Sequence, residues 1–325
     1  MTYSAPRWLP GGHLQTLYTA LFLRGATVAY RRERWEWPDG DFTDADWLDA
    51  DRLDTNDRHA PILVLFHGLE GSSQSHYARG LLAAANTLGW RGVVAHFRGC
   101  SGEPNRLPRA YFAGDTAEVQ AILARIHSSF PHAPLYAVGV SLGGNALLKW
   151  LGDAGESTPS WIKAAAAVSA PVDMCAAGHT LDSGLNRLIY TRHFLSTLKK
   201  KALNKAALFP GTLDAKAIRA ASTFREFDTL VTARLHGFKD AEDYWTRVSS
   251  KPGLKNIAVP TLILNARNDP FLPASALPRA DEVSQHVYLE QPQTGGHVAF
   301  PVGAFPGNIG WLPQRILDFM QRIQA

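Results

Sequence analysis

Leu135-Tyr-Ala-Val-Gly-Val-Ser-Leu-Gly-Gly-Asn-Ala-Leu-Leu-Lys-Trp-Leu151 is the stretch that decides the fold. Its first six residues are typical of a β-strand buried on both faces, and residues 142–151 are typical of a helix. Between them stands Ser141, flanked by Gly139 and Gly143, in the pattern Gly-x-Ser-x-Gly. A sharp strand-to-helix turn strains its central residue, so its neighbours must be small. The pattern therefore predicts a tight turn that lifts a serine hydroxyl above a sheet.

The same alternation of buried strand and helix continues along most of the chain. Strand–helix alternation favours a mostly parallel central sheet with helices on both faces, and this α/β class is the fold we expect. The first two predicted strands lack an intervening helix, so we expect them to form an antiparallel edge. Predicted strands are 27–37, 42–48, 61–66, 92–97, 135–140, 162–168, 261–264 and 286–289, and predicted helices are 76–88, 115–127, 142–151 and 314–323.

One region breaks this alternation. Residues 171–255 contain helix-like segments but no convincing buried strand, and we interpret them as a helical cap inserted into a single domain of residues 1–325. Within this region, residues 185–202 have an apolar half of the helical wheel, as in an amphipathic helix that packs on the rest of a fold. The members of that half are Leu185, Leu188, Ile189, Leu195 and Leu198.

Composition excludes several classes of protein. The chain has 325 residues and a net charge of only +4, which is a poor basis for a nucleic-acid interface. Its apolar runs fall far short of the roughly 20 residues that a membrane span needs, and its first residues do not resemble a secretory signal. Two cysteines, Cys100 and Cys175, are too few for a disulfide framework or a zinc ribbon. We therefore expect a soluble, cytoplasmic protein with no obligate protein partner.

A catalytic serine needs a base, and the base needs an acid that orients it. Among twelve histidines, His297 is favoured because it lies in Thr294-Gly-Gly-His297, between the last predicted strand and the closing helix. Two carboxylates fit as the acid, Asp269 and Asp173, since each follows a predicted strand. His67 is better explained as a histidine that holds its own loop in shape.

The charge that develops during attack by a serine needs hydrogen-bond donors, which form an oxyanion hole. We expect one donor to be the backbone N–H of Leu142, directly after the serine. The second is expected from the glycine-rich loop His67-Gly-Leu-Glu-Gly-Ser-Ser73, where we choose the N–H of Leu69. Cys100 lies near this region, but nothing pairs it with a base, which favours a packing role.

Neither a metal nor an organic cofactor is expected. The sequence has no Gly-x-Gly-x-x-Gly or P-loop pattern, and His127 and His132 lack further ligands at metal spacing. The run Lys199-Lys200-Lys201 is compatible with contact to anionic lipid. A solvated helix end, where lysines complement the helix dipole, is the favoured interpretation. We therefore do not expect membrane contact.

Seven motifs occur in order along nearly the whole chain. They are Gly12-His-Leu-Gln-Thr16, His67-Gly-Leu-Glu-Gly-Ser-Ser73, Arg98-Gly-Cys-Ser-Gly-Glu-Pro-Asn105, Gly139-Val-Ser-Leu-Gly-Gly-Asn145, His236-Gly-Phe-Lys-Asp-Ala-Glu-Asp-Tyr244, Asp269-Pro-Phe271 and Gly295-Gly-His297. With these motifs the sequence resembles the α/β-hydrolases and, among them, the YheT-like branch, which also includes plant EMB-type proteins and animal membrane-associated lipid hydrolases.

The resemblance implies a serine hydrolase of carboxylic esters with Ser141, Asp269 and His297 as its triad. Two positions depart from the family pattern. Asn268 stands where relatives often carry a first of two aspartates, which leaves Asp269 as the acid. Phe112 stands where a histidine is common, so substrate preference is expected to differ if that histidine shapes the pocket.

Several functions compete on such a fold. We expect a small-molecule ester with an apolar acyl chain, short to medium or lipid-like, because the predicted cap is rich in Leu, Phe and Ile. A thioesterase or peptidase would use the same triad. An epoxide or haloalkane hydrolase is disfavoured because it needs a carboxylate where this chain has Ser141. A non-catalytic binding protein would be expected to have lost a triad member, and none is missing.

Overall fold

The computed structural model describes residues 3–49 and 58–324. At its centre lies a sheet formed by β1 (Arg31–Glu36), β2 (Phe42–Leu48), β3 (Ile62–Phe66), β4 (Arg91–Ala95), β5 (Leu135–Val140), β6 (Ile162–Val168), β7 (Thr261–Leu264) and β8 (Val287–Glu290). Their spatial order is β1-β2-β4-β3-β5-β6-β7-β8. β2 pairs antiparallel with β1 and β4, and every other pair is parallel. The mostly parallel sheet and its antiparallel edge are confirmed.

Helices cover both faces of the sheet. α2 and α12 contribute to the core on one face, and α3 and α4 to the core on the other. The helices are α1 (Gly12–Phe22), α2 (His76–Thr87), α3 (Thr116–Ser129), α4 (Leu142–Ala154), α5 (Met174–Leu181), α6 (Gly184–Asn186), α7 (Arg192–Leu208), α8 (Ala215–Ala220), α9 (Phe224–Phe227), α10 (Arg234–His236), α11 (Ala241–Val248) and α12 (Trp311–Gln324). Within the described residues, no helix is both long and apolar enough to cross a bilayer.

Strand β3 shows why the central strands are continuously apolar. Its alternate side chains belong to different cores: Ile62 and Phe66 pack on one face of the sheet, whereas Leu63 and Leu65 pack on the other. All four are completely buried. A strand covered on both faces has no position for a polar side chain, so its sequence loses the usual alternation.

The chain between β6 and β7 contains helices and turns but no strand. Helices α5 to α11, residues 174–248, form a helical segment on the side of the sheet where α4 lies. Buried Asn145 of α4 anchors its last residues, because the amide donates to the carbonyl oxygen of Val248 and accepts from the N–H of Ser250. The hydroxyl of Tyr244 accepts from the N–H of Ala113. The end of the helical segment is therefore fixed to the first turn of α4, close to Ser141.

The wheel prediction for residues 185–202 is wrong at its first two leucines. Leu195 and Leu198 are buried, but Leu185 is 63% exposed and Leu188 is 67% exposed. A π-helical turn, Arg187–Thr191, lies between α6 and α7. The wider turn contains more residues than an α-helical one, so side chains before it and at its start are rotated away from the face that follows it.

The run Lys199–Lys201 is not a helix end. These residues lie in the middle of α7, which continues to Leu208. The ammonium group of Lys199 donates to the carbonyl oxygen of Arg219. The ammonium of Lys201 donates to Glu70, on the loop that follows β3. The solvated-end interpretation is therefore wrong for both side chains, which contact other parts of the fold.

The turn from β5 to α4 depends on a close backbone approach. Ser141 has φ 53° and ψ −121°, a conformation that few non-glycine residues adopt. A Cβ on Gly143 would lie 2.4 Å from the carbonyl oxygen of Phe66 and 2.5 Å from that of His67. A Cβ on Gly139 would lie 2.4 Å from the carbonyl oxygen of Gly143. Both glycines are needed because these neighbours are backbone atoms.

We expect Gly143→Ala to lower the free energy of unfolding by about 3 kcal/mol, because the carbonyls at the end of β3 can give way only by distorting the sheet. The measurement is urea denaturation followed by circular dichroism. Gly80→Ala in α2 is the matched control, since its nearest neighbour would be a side-chain atom of Pro313 at 3.5 Å. It should keep or raise stability. Equal stability of the two variants would contradict the steric argument.

Candidate active site

Three predicted site residues meet at the carboxyl ends of the strands. The Oγ of Ser141, after β5, lies 2.9 Å from the Nε2 of His297. The Nδ1 of His297, after β8, lies 2.8 Å from the Oδ2 of Asp269, which follows β7. Parallel strands bring these loops together although 156 residues separate the serine from the histidine. The arrangement is a continuous hydrogen-bonded relay.

The surroundings of Asp269 and His297 fix the imidazole. The Oδ1 of Asp269 accepts from the N–H of Phe271, which leaves Oδ2 directed at His297. The ring of Phe271 stacks on the imidazole with centroids 3.9 Å apart. A carboxylate beside Nδ1 holds the proton there and leaves the lone pair of Nε2 facing the serine hydroxyl. The other candidate acid, Asp173, instead caps α5 by accepting from the N–H of Ala176.

Helix α1 supports the histidine loop. The Oγ1 of Thr16 accepts from the N–H of His297 at 2.8 Å, and the Oε1 of Gln15 accepts from the N–H of Gly295 at 2.9 Å. No helix is predicted before residue 27, so the sequence patterns missed α1. The spacing of Leu14, Leu17 and Leu21 is the signal that would have found it.

Asn268 uses both ends of its amide. Its Nδ2 donates to the Oε1 of Gln15 at 3.0 Å, and its Oδ1 accepts from the N–H of Gly296 at 3.0 Å. An aspartate has no proton to donate when ionised, so it could make only the second of these contacts. The departure from the family pattern at this position thus ties α1 to the histidine loop.

The predicted oxyanion donors lie beside the serine. Leu142 is the first residue of α4, and Leu69 lies in the loop that passes over Ser141. A Cβ on Gly68 would lie 3.1 Å from the Cβ of Ser141, so this loop is in close contact with the serine. Across residues 3–49 and 58–324, the backbone N–H groups of Leu69 and Leu142 have no hydrogen-bond acceptor.

His67 holds that loop in shape. Its Nε2 accepts from the N–H of Phe97 at 3.1 Å, which places the ring proton on Nδ1, and Nδ1 donates to the carbonyl oxygen of Gly68 at 2.8 Å. Complete burial, with the neighbouring His96 as a smaller cause, lowers the pKa of His67 to about 3. Both nitrogens are engaged with backbone, as the structural interpretation of this residue requires.

Polar contacts also hold Glu70, which lies further along the same loop. Glu70 has φ 54°, and its N–H donates to the hydroxyl of Tyr111 at 2.9 Å. The carboxylate of Glu70 accepts from that hydroxyl at 2.8 Å and from the Nζ of Lys201 at 2.7 Å. We call Glu70, Tyr111 and Lys201 the Glu70 clamp. Sequence reasoning missed it, because 131 residues separate the glutamate from the lysine.

Cys100 lies near the clamp but is not activated. Burial raises the pKa of its thiol to about 12. The Nζ of Lys201 lies 3.7 Å from its Sγ. A thiol of such high pKa stays protonated at neutral pH, and only the thiolate is a good nucleophile. The environment of Cys100 is that of a packing residue.

A cavity of about 910 Å³ opens onto the serine and the histidine. Its walls come from α1, from the loops after β3 and β4, and from the helical segment, and most of its lining is apolar. Phe112 lines it and lies against His236, with ring centroids 4.4 Å apart. Within the described part of the chain, no three His, Cys, Asp or Glu side chains are grouped so that they could hold a metal ion.

The sequence is similar to those of known proteins along most of its length. A family model described as alpha/beta hydrolase fold matches residues 61–304. The protein named “Putative esterase YheT” of Escherichia coli strain K12 is 43% identical over 310 residues, which cover 95% of this chain and 89% of that protein. Phospholipase ABHD3 of Homo sapiens is 32% identical over 328 residues, covering 98% of this chain and 78% of that protein.

Solved structures agree on the fold. The esterase Pf2001 of Pyrococcus furiosus superposes with a TM-score of 0.58, covering 94% of this chain and 99% of that one. Sequence identity in this superposition is 13%. Similarity at that level shows a shared architecture, and it does not extend to substrate.

The state of His67 predicts a pH dependence of stability. In the unfolded chain the imidazole of His67 takes up a proton near pH 6.5, whereas in the folded protein it stays neutral until the pH falls to about 3. The stability that neutral His67 contributes above pH 6.5 is therefore lost progressively as the pH falls. At pH 5 this residue alone has lowered the free energy of unfolding by about 2 kcal/mol. Urea denaturation at pH 7 and pH 5 should show that His67→Asn, although less stable at pH 7, loses about 2 kcal/mol less than wild type over this interval. Equal losses would contradict the assignment.

Proposed function

The chain belongs to the α/β-hydrolase family, and from that premise we propose that it is a serine hydrolase that cleaves carboxylic esters through Ser141, His297 and Asp269. The observation that carries the proposal is the relay of hydrogen bonds from Asp269 through His297 to Ser141, 2.8 Å and 2.9 Å long. Each contact has the polarity that nucleophilic catalysis by serine requires.

Acylation begins with the serine. The Nε2 of His297 removes the proton of Ser141 while Oγ forms a bond to the ester carbonyl carbon, and Asp269 stabilises the resulting imidazolium. The carbonyl oxygen becomes an oxyanion that accepts from the N–H groups of Leu69 and Leu142. When the tetrahedral intermediate collapses, the bond to the alcohol oxygen breaks and His297 gives that oxygen its proton. The alcohol leaves, and the acyl group stays on Ser141.

Deacylation repeats these steps with water. His297 takes a proton from water as the water oxygen attacks the acyl carbon, and the second tetrahedral intermediate uses the same two N–H groups. Collapse breaks the bond to Oγ, and His297 returns the proton to Ser141. The carboxylic acid leaves, and the side chains are back in their starting protonation states. The cycle uses only these residues, so the proposal includes no cofactor or metal.

The cavity supports an apolar acyl chain as the substrate group. Its volume of about 910 Å³ and its apolar lining favour a short- to medium-chain or lipid-like ester. A relative that is 32% identical bears the name phospholipase, which is in line with this class of substrate. In the same proposal, residues 1–325 form one domain and residues 171–255 act as its cap over the serine.

A fluorophosphonate probe tests the nucleophile. The wild-type protein should gain one adduct by intact mass, because such probes react only with an activated serine, and Ser141→Ala should gain none. Ser196→Ala is the matched control: it removes an exposed serine of α7 whose hydroxyl bonds only to the carbonyl oxygen of His193 in the same helix, and it should still be labelled. An adduct that persists in Ser141→Ala would overturn the proposal.

The Glu70 clamp predicts a kinetic signature. Lys201→Met leaves the half-buried Glu70 without its cation and frees the loop that carries the Leu69 N–H. A donor displaced by about 1 Å costs on the order of 10²-fold in rate, so kcat for a small p-nitrophenyl ester should fall while KM changes little.

Two variants control this experiment. Lys201→Arg should restore much of kcat, because it keeps the charge that pairs with Glu70. Lys216→Met should match wild type, because it removes an exposed lysine of α8 elsewhere in the helical segment. A rise in KM with unchanged kcat would show that Lys201 contacts substrate instead of positioning the loop.

A further inference from the structure

Four exposed leucines lie on two segments that border the cavity, α1 and the chain around the π-helical turn. Leu21 lines the cavity at its opening and is 68% exposed, and Leu14 on the same helix is 53% exposed. Leu185 and Leu188, more than 60% exposed, lie just before Ile189, which lines the cavity. We call these four leucines the mouth surface. Exposed apolar side chains concentrated at one opening mark an interaction site more often than scattered ones do.

The two halves of the mouth surface lie side by side. The ring of His13 in α1 stacks on that of Tyr190 in the π-helical turn, 5.8 Å away, and its Nδ1 lies 3.1 Å from the tyrosine hydroxyl. The Nδ2 of Asn186 donates to the carbonyl oxygen of Pro270, the residue after Asp269. The π-helical turn therefore fixes Leu185 and Leu188 against the loop that carries the acid, with their side chains outward.

The charged residues of the two segments that carry the mouth surface are all basic. The chain contains 29 Asp and Glu, yet none occurs in residues 1–30 or in residues 183–213. Residues 183–213 contain six Lys and Arg, although the net charge of the whole chain is only +4. Lys201 and Lys205 of this segment turn inward to Glu70 and Asn105, whereas Arg187 and Arg192 are exposed beside the leucines. Asp182 directly precedes residues 183–213 and interacts with Arg187, so the margin of the apolar mouth is cationic at Arg192 and mixed in charge at Arg187.

We propose that the mouth surface docks on an anionic lipid surface, with its leucines in the acyl layer and with Arg187 and Arg192 at the headgroups. Leucines transferred from water to hydrocarbon and arginines near anionic headgroups both favour this contact. A second copy of this chain is disfavoured as the occupant, because it would bring the same cations together. The docking deepens the proposed function: the ester enters the cavity from the lipid phase. The docking itself does not need Ser141.

Vesicle flotation of Ser141→Ala protein tests the docking without catalysis. The protein should float with vesicles of phosphatidylcholine and phosphatidylglycerol, should stay unbound with phosphatidylcholine alone, and should be released by high salt. Leu185→Asn with Leu188→Asn should lower the partition coefficient at least about ten-fold. Arg187→Gln with Arg192→Gln should lower it on the order of five-fold for each charge.

Leu88→Asn is the matched control. It removes a 40% exposed leucine that follows α2, close to the amino end of β4 and so at the opposite edge of the sheet from the serine. It should bind like the parent protein. The proposal is overturned if the parent does not float with anionic vesicles, if the leucine pair and the control bind equally, or if sedimentation shows a dimer that the leucine pair dissociates. A protein that floats but takes no fluorophosphonate adduct would overturn the proposed function and keep the docking.

Discussion

The close approach of α4 to the end of β3 is the constraint on which the site depends. Gly143 touches the carbonyl groups of Phe66 and His67 so tightly that no side chain fits there. This contact holds Ser141 at a positive φ, with its hydroxyl directed at His297. It also sets the loop after β3 against the serine. The N–H groups of Gly68 and Glu70 in this loop donate to tyrosine hydroxyls, which leaves the N–H of Leu69 as the proposed donor. One backbone contact thus positions the serine and the loop together.

The sequence predicted those elements of the fold that a local pattern of apolar residues indicates. The bounds of β5, β6 and β7 agree with the predicted strands, because a run of apolar residues reports burial on both faces of a parallel sheet. The bounds of β2 agree as well, although this strand pairs antiparallel and contains Asp44 and Asp46. The position after a strand suggested Ser141 and His297 and left Asp269 and Asp173 as candidate acids, and the resemblance to the α/β-hydrolases favoured Asp269, which is the one that the structure places beside His297. Parallel strands place their carboxyl ends at one edge, so position along the chain carries geometric information.

Contacts between distant segments were not predictable in this way. The pairing of Lys201 with Glu70 joins the helical segment to the loop over the serine, and no periodicity connects them. The helical wheel put Leu185 and Leu188 on the buried side because it assumes α-helical geometry throughout, whereas the chain makes a π-helical turn. Helix α1 was overlooked although it hydrogen-bonds the loop of His297. The pairing of Lys201 with Glu70 is thus local in space and distant in sequence, whereas the π-helical turn is a local departure from the helix geometry that the wheel assumes.

The central claim is that the acyl group of the substrate resides on Ser141 during turnover. Its most direct test is rapid quenching of the wild-type protein mixed with p-nitrophenyl butyrate, followed by intact and peptide mass. We expect a transient butyryl group on the peptide that contains Ser141, formed together with an initial release of one equivalent of p-nitrophenol. Turnover of the ester without an acylated peptide, undiminished in Ser141→Ala, would contradict it.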